Sequence, residues 1–170
     1  AYRALNETNP DIGLFELATC LSMLATAFKE TRRPADALSA ERQAVAVYRE
    51  LAEEDPDLVA GDFAASLSGF GASLVAMNRP AEALPVLGEA AAVYRELAED
   101  EPERYRSAFA TSLHDFGASL LRFGRPAEAV LVLQEAAAAY RELAGTDPGG
   151  DRPGLARCLS SLGLALTAAG

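Results

Sequence analysis

The 170-residue chain contains no tryptophan, one histidine, two cysteines and two methionines, and only 7% of its residues are aromatic. This shortage leaves little material for a metal site or for thiol chemistry. Half of the residues are nevertheless hydrophobic, so alanine and leucine must build the core. We therefore expect no metal, no other cofactor and no catalytic residues.

Basic residues are also scarce, with 15 Lys and Arg against 25 Asp and Glu, which gives a net charge of −10. Such a chain lacks the clustered cations that neutralise phosphates, so nucleic acid is excluded as a partner. The same shortage argues against an anionic membrane surface. No uninterrupted apolar run approaches the roughly 18 residues of a membrane helix, so we expect no membrane association.

The sequence repeats itself with a period of 46 residues. Three copies of one motif begin with an Arg-Pro-Ala triplet, at Arg33, Arg79 and Arg125. Residues 63–108 and 109–154, aligned without gaps, are identical at more than half of their positions. The chain is therefore an array of similar units.

The phase of the repeat divides the chain into five parts. Residues 1–9 are predicted to be the tail of a preceding second helix, and 148–170 to contain the first helix of a fourth repeat. Three full repeats lie between them, at 10–55, 56–101 and 102–147. We expect a single domain over 1–170, cut from a longer array. A natural chain with ragged ends is the alternative.

Each repeat is predicted to form two helices. Apolar residues recur at helical spacing, and prolines stand where each helix should begin. The first helices are expected near 10–30, 56–77, 102–123 and 153–169, and the second helices near 34–54, 80–100 and 126–145. No segment alternates with period two, so no strands are predicted. One helix pair cannot bury both of its apolar faces, so the expected fold is an all-α solenoid of antiparallel pairs.

Two features of the helices lead to local predictions. Pro85 lies about one turn inside its helix and should kink or loosen that turn. Three glycines lie mid-helix at the repeat spacing, where we expect them to face Ala83 and Ala129 and allow close helix approach: Gly71, Gly117 and Gly163.

At these residues the chain resembles the tetratricopeptide repeat family, whose 34-residue pattern has a large residue, Leu-Gly, an aromatic residue and spaced alanines. The second and third copies carry the matches Leu67, Phe70, Gly71, Leu74, Ala83, Leu87 and Ala90, and Leu113, Phe116, Gly117, Leu120, Ala129, Leu133 and Ala136. The first copy fits at Leu21, Leu24, Ala25, Phe28, Ala37 and Ala44, but Glu41 stands where a large apolar residue is expected. The 46-residue period is similar to long variants in bacterial multidomain proteins and in kinesin light chain.

The resemblance implies a right-handed superhelix that binds a peptide or protein on its concave face and has no catalytic activity. One side of the first helices lines that face in the family. Carried onto this chain, the partner-binding positions are Ser22, Thr26, Lys29, Ser68, Ala72, Val75, His114, Ala118, Leu121, Arg122, Ser160 and Leu164. The asparagine positions of the family's carboxylate clamp hold Met23, Gly69, Asp115 and Ser161, so that clamp is absent. These residues could alternatively only complete a smooth surface.

The charges and cysteines give two further expectations. The loops within repeats carry Arg32, Arg33, Arg79, Arg122 and Arg125, whereas those between repeats are acidic, so one long edge should be positive and the other negative. This pattern indicates either helix-end complementarity or steering of a basic partner. Cys20 and Cys158 should lie too far apart for a disulfide, which suits a reducing, cytoplasmic location.

We interpret the chain as a non-enzymatic scaffold for protein–protein interaction. Two alternatives stay open. The ends could stack head to tail in self-association, since each end lacks part of a helix pair. The array could instead be a sensor attached to an NTPase or protease effector domain.

Overall fold

The computed structural model describes residues 10–146 and 151–170, and this part of the chain forms seven α-helices. Their bounds lie within about two residues of the predicted ones, and the predicted helical tail at 1–9 falls outside the described residues. The helices are α1 (Pro10–Glu30), α2 (Pro34–Glu54), α3 (Pro56–Ala76), α4 (Pro80–Asp100), α5 (Pro102–Arg122), α6 (Pro126–Thr146) and α7 (Arg152–Ala169).

The helices pack in chain order. Each one lies mainly against the helices before and after it, so α1 with α2, α3 with α4, and α5 with α6 form antiparallel pairs, and α7 packs on α6. The first helices of neighbouring repeats also touch, α3 with α5 and α5 with α7. The predicted all-α array of antiparallel helix pairs is confirmed.

The turn from each first helix to its second helix has the same geometry in every full repeat. At the end of α1, the backbone N–H of Arg33 donates to Phe28 O at 2.8 Å and that of Arg32 donates to Lys29 O at 3.1 Å. These two bonds form a Schellman motif, which needs a left-handed residue just past the helix end. Arg32 (φ 56°), Asn78 (φ 56°) and Gly124 (φ 76°) occupy that position in turn.

The first two joints between repeats are single residues, Asp55 and Glu101. Asp55 separates α2 from α3, and its carboxylate accepts a hydrogen bond from the backbone N–H of Leu58 at 3.3 Å. Pro56 follows at the first position of α3. Proline has no backbone N–H, and at this position an N–H would have no carbonyl partner within the helix. Such short joints fix the direction of each helix relative to the one before it.

Two mid-helix glycines set the spacing within the helix pairs, as predicted, but through a different contact. A Cβ added at Gly71 would lie 2.6 Å from Leu87 Cδ2, and one at Gly117 would lie 2.7 Å from Leu133 Cγ. The glycines thus face leucines that lie one turn beyond Ala83 and Ala129, the two residues predicted to face them. Gly163 has open space at its Cβ position.

The core runs through the array as two connected clusters of leucine, alanine and a few aromatic residues. Leu67 and Leu74 of α3 are fully buried. Their counterparts in α5, Leu113 and Leu120, are almost fully buried. α3 is long and apolar enough to span a membrane by length and composition, with a mean hydropathy of 1.4. One face of this helix packs between α2 and α4, and 39% of its apolar window is buried there.

Pro85 lies within α4, which continues from Pro80 to Asp100. Its side chain is exposed. The predicted loosening therefore does not interrupt the helix, although proline removes the N–H that would bond to the carbonyl four residues earlier.

Ion pairs link the second helices of successive repeats. Arg49 pairs with Glu89 at 2.8 Å and Arg95 pairs with Glu135 at 2.8 Å, and each guanidinium also lies over a phenylalanine ring of the intervening helix. These partners are about half exposed, so each pair contributes about 0–1 kcal/mol.

The predicted positive edge is largely neutralised. Arg33 pairs with Asp36 at 2.8 Å, and the equivalent arginines of the next two repeats pair with Glu82 and Glu128 in the first turn of α4 and α6. The acidic residues thus lie at the positive ends of the helix dipoles and also bind the preceding arginine. At these three positions the charges therefore complement the helix ends.

Candidate functional site

A groove runs across the first helices, and we call it the first-helix groove. Its first segment is a depression of about 340 Å³ between α1 and α3. Its second segment is a depression of about 320 Å³ between α3 and α5. The first segment is lined by Thr19, Ser22, Met23, Ala25, Thr26, Lys29, Glu41, Tyr48, Asp62, Ala65, Ser66 and Gly69. The second is lined by Ala72, Val75, Leu87, Asp115, Ala118, Ser119 and Arg122.

Small side chains create the groove. Gly69 and Ala72 of α3 and Ala118 of α5 stand on the walls, where larger residues would fill the space between the first helices. Because the residues three or four positions apart share one helix face, each first helix contributes a row of such positions. The groove is therefore a property of the repeat and not of one loop.

Three hydroxyl groups of α1 in the first segment donate to their own helix. Thr19 Oγ1 donates to Phe15 O at 3.0 Å, Ser22 Oγ to Ala18 O at 3.0 Å, and Thr26 Oγ1 to Ser22 O at 3.1 Å. A hydroxyl has one proton and two lone pairs. These groups therefore present acceptors to a guest in the groove.

Residues of the second helices form the floor of the groove. Leu87 of α4 lies at the floor of the second segment, and Glu41 of α2 holds the equivalent place in the first. Glu41 is only 5% exposed, and its Oε1 pairs with Lys29 Nζ at 2.5 Å. The first segment thus combines a buried carboxylate with a half-exposed ammonium group.

Tyr48 stands beside Glu41 on the same floor. Its hydroxyl lies 3.4 Å from Thr19 Oγ1, and since the threonine proton goes to Phe15 O, the tyrosine is the donor. The third repeat has the same pair, with Tyr140 Oη 3.2 Å from Thr111 Oγ1. Burial raises the pKa of Tyr140 above its usual 10.0, although the hydrogen bond with Thr111 opposes this rise.

Between α5 and α7 the polar residues contact one another. His114 Nε2 lies 3.2 Å from Ser161 Oγ, and His114 Nδ1 lies 3.5 Å from Asp115 Oδ1. His114 is 9% exposed. Its ring therefore joins two neighbouring first helices and leaves little surface for a partner.

The structure brings together most of the residues that the sequence predicted for partner binding. Ser22, Thr26 and Lys29 line the first segment, and Ala72, Val75, Ala118 and Arg122 line the second. Ser68, His114 and Leu121 are half-buried or buried, whereas Ser160 and Leu164 are exposed on α7.

Sequence reasoning missed several groove residues. Met23, Gly69 and Asp115 had been considered only as clamp positions, yet all three line the groove, and Met23 is 68% exposed. Glu41 and Tyr48 were missed because they belong to a second helix. The signal for Glu41 was its departure from the apolar pattern of the other repeats.

A further depression continues the groove at the ends of α1 and α3. It measures about 510 Å³, and its walls are mostly apolar. It shares Lys29 with the first segment and Ala72 with the second, so it lies between these two depressions. Its other lining residues are Arg32, Pro34, Ala37, Ser73, Ala76 and Met77.

The residues considered for metal and thiol chemistry lie apart. Within 10–146 and 151–170, no three His, Cys, Asp or Glu side chains are grouped to hold a metal ion. Cys20 is exposed and Cys158 is buried, and both are free thiols. Cys158 Sγ donates to Leu133 O at 3.5 Å, and burial raises the pKa of its thiol above the usual 9.0.

Comparison with known proteins identifies the family of the repeats. A sequence profile of the tetratricopeptide repeat family matches residues 17–57, 63–102 and 109–148. The matched repeats cover well over half of the chain, so the chain belongs to the tetratricopeptide repeat family. A search of curated proteins finds no match.

One solved structure is similar to the chain along most of its length. It is a crystal structure of nearly identical TPR-like repeats from a Podosopora anserina protein described as a kinesin light chain. The sequences are 16% identical, the match covers 89% of this chain and 86% of the other, and the TM-score is 0.40.

Proposed function

We propose that the chain is a non-catalytic module that binds a peptide segment of a partner protein in the first-helix groove. The observation that carries this proposal is the row of neighbouring depressions between consecutive first helices. Family membership supports it, since tetratricopeptide repeats generally mediate protein–protein interactions.

The dimensions of the groove favour an extended segment or a single helix. Depressions of about 320 to 510 Å³ accept individual side chains, and they succeed one another along the array. Peptides recognised in grooves place anchor side chains in such depressions at regular intervals. We expect the binding to occur in the cytoplasm, where free thiols remain reduced.

Selection of peptides on the immobilised chain tests this proposal. A displayed library of random 12-residue peptides is enriched on the wild-type chain and on two variants that each add one arginine. Ala72→Arg introduces an arginine where the second segment meets the apolar depression, whereas Ala138→Arg places the same charge at an exposed position of α6 outside the groove. Peptides that bind wild type and Ala138→Arg but not Ala72→Arg would support the groove. Peptides insensitive to Ala72→Arg would place binding elsewhere.

Self-association is a second candidate, and one observation favours it. α7 exposes Leu159 by 41% and Leu166 by 50%, although the equivalent Leu113 and Leu120 are buried under α6. In this candidate, a second copy of the chain covers this face. Light scattering over a range of concentrations should then show a dimer or larger species that Leu166→Glu dissociates. A monomer at all concentrations would contradict this candidate.

A further inference from the structure

The floor of the groove differs between repeats at one position. Leu87 and Leu133 occupy this position in the second and third repeats, and Glu41 occupies it in the first. All three side chains are at least 95% covered. A carboxylate therefore takes the place of a leucine at the base of the first segment.

The opposing residue in the first helix changes at the same time. Gly71 and Gly117 face the leucines so closely that a Cβ would stand 2.6 to 2.7 Å from leucine carbons. The first repeat has Ala25 in that position, and Ala25 is 2% exposed. A leucine at position 41 would collide with the alanine, whereas the glutamate turns its carboxylate toward the groove, where Oε1 lies 3.6 Å from the Cβ position of Gly69.

One carboxylate oxygen of Glu41 has no hydrogen-bond donor. Oε1 pairs with Lys29 Nζ at 2.5 Å, but Oε2 is buried and accepts no hydrogen bond. A buried acceptor without a partner is unfavourable, and more so when it is charged. Because Oε2 is enclosed, a donor in the groove would relieve this deficit once the carboxylate rotates to expose this oxygen.

The surroundings of Glu41 favour a cationic donor. The first segment is lined by the carboxylates of Glu41 and Asp62 and by one ammonium group, that of Lys29. The hydroxyls of Thr19 and Ser22 donate to backbone carbonyls of α1, so only their acceptor lone pairs remain for a guest in the groove. A guest rich in N–H groups, such as a guanidinium or ammonium group, complements this set of acceptors.

An apolar depression follows at a defined distance. Gly69, whose Cβ position is 3.6 Å from Glu41 Oε1, lies in the first segment, and Ala76 of the same helix lies in the apolar depression. Seven helical residues span ~10 Å. An extended peptide covers that distance in about three residues.

We propose that the first segment binds an arginine or lysine side chain of an extended peptide segment, with Glu41 and Asp62 as the acceptors. An apolar side chain of the same peptide, about three residues away, occupies the depression lined by Ala37, Ala76 and Met77. This inference rests on the proposed function, since it names the kind of partner that the groove accepts.

The test repeats the selection of random 12-residue peptides on three chains: wild type, Glu41→Gln and Glu53→Gln. Glu53 is exposed near the end of α2, so its variant has the same net charge as Glu41→Gln and controls for general attraction of basic peptides. We expect wild type and Glu53→Gln to enrich peptides with a basic residue at a fixed spacing from an apolar one. Glu41→Gln should bind those peptides at least about tenfold more weakly.

A second variant keeps the test decisive if Glu41→Gln unfolds. Ala25→Gly with Glu41→Leu installs the glycine–leucine pair of the other two repeats, and it should fold with a higher melting temperature and lose the basic preference. Retention of the basic preference by either folded variant would overturn the inference, and so would enriched peptides without a common basic position. Failure to enrich any peptide would instead overturn the proposed function itself.

Discussion

Gly71 of α3 lies so close to Leu87 of α4 that an added Cβ would stand 2.6 Å from Leu87 Cδ2. Gly117 and Leu133 repeat this relationship in the next helix pair. The distance between the two helices of a repeat is therefore set by the absence of a side chain. This short distance also places Leu87 where it lines the groove.

Gly117→Ala should lower the free energy of unfolding by about 1–3 kcal/mol, because the new methyl group overlaps Leu133. Gly163→Ala is the matched control, since its Cβ position in α7 is open. There the substitution should raise the stability by about 0.5–1 kcal/mol through helix propensity alone. Urea unfolding of both variants checks the signs. A destabilisation of equal size at both positions would contradict the packing.

Substitutions at the left-handed residue that ends each first helix should change the stability in opposite directions at Arg32 and Gly124. Arg32→Gly should stabilise the chain by about 1 kcal/mol, since φ is 56° there and a non-glycine residue is strained. Gly124→Ala should destabilise it by a similar amount, since φ is 76°. Thermal unfolding of both variants measures the difference. Identical shifts in the two variants would show that this conformation is not maintained in solution.

The two free thiols should differ in reactivity. Cys20 is exposed and should react with a disulfide reagent within the mixing time, whereas Cys158 is fully buried and its pKa is raised by burial. The thiolate is the reactive form, so Cys158 should react only when α7 separates from α6. A titration of the native chain should count one fast thiol, and Cys20→Ser should remove it. Two fast thiols in the native wild type would contradict the burial of Cys158.

Stability should decrease at alkaline pH through two tyrosines. Burial raises the pKa of Tyr94 and of Tyr140 above 10.0, so the folded state holds these protons more tightly than the unfolded state does. Their contribution is complete below pH 10 and is lost as the pH rises above it. In Tyr94→Phe with Tyr140→Phe, urea midpoints should fall less between pH 9 and pH 11 than in wild type. An equal decrease in both chains would refute this assignment.

The repeat made most of the fold predictable. Copies such as Arg33, Arg79 and Arg125 give the phase, and prolines at helix starts give the bounds, so each helix could be placed to within about two residues. The contact of Gly71 with Leu87 was harder to predict, because Ala83 and Leu87 lie one turn apart on the same face of α4. Only the rotation of the two helices against each other selects between them.

The groove was less predictable than the fold. Residues of the first helices follow from the family pattern, but Glu41 reaches the groove from below, through a second helix. Its pairing with Lys29 depends on a contact between helices that sequence spacing does not specify. His114 similarly lies between α5 and α7, where its burial follows from the packing of neighbouring first helices.

The most direct test of the account maps a selected peptide onto the chain by NMR. Backbone amide shifts of the labelled chain are recorded with increasing concentrations of one enriched 12-residue peptide. We predict that the perturbed amides lie in α1, α3 and α5, with the largest changes around Lys29, Gly69 and Ala72, and in α2 beside Glu41. Perturbations confined to the exposed faces of α4 and α6, around Arg95 and Glu135, would contradict binding in the first-helix groove.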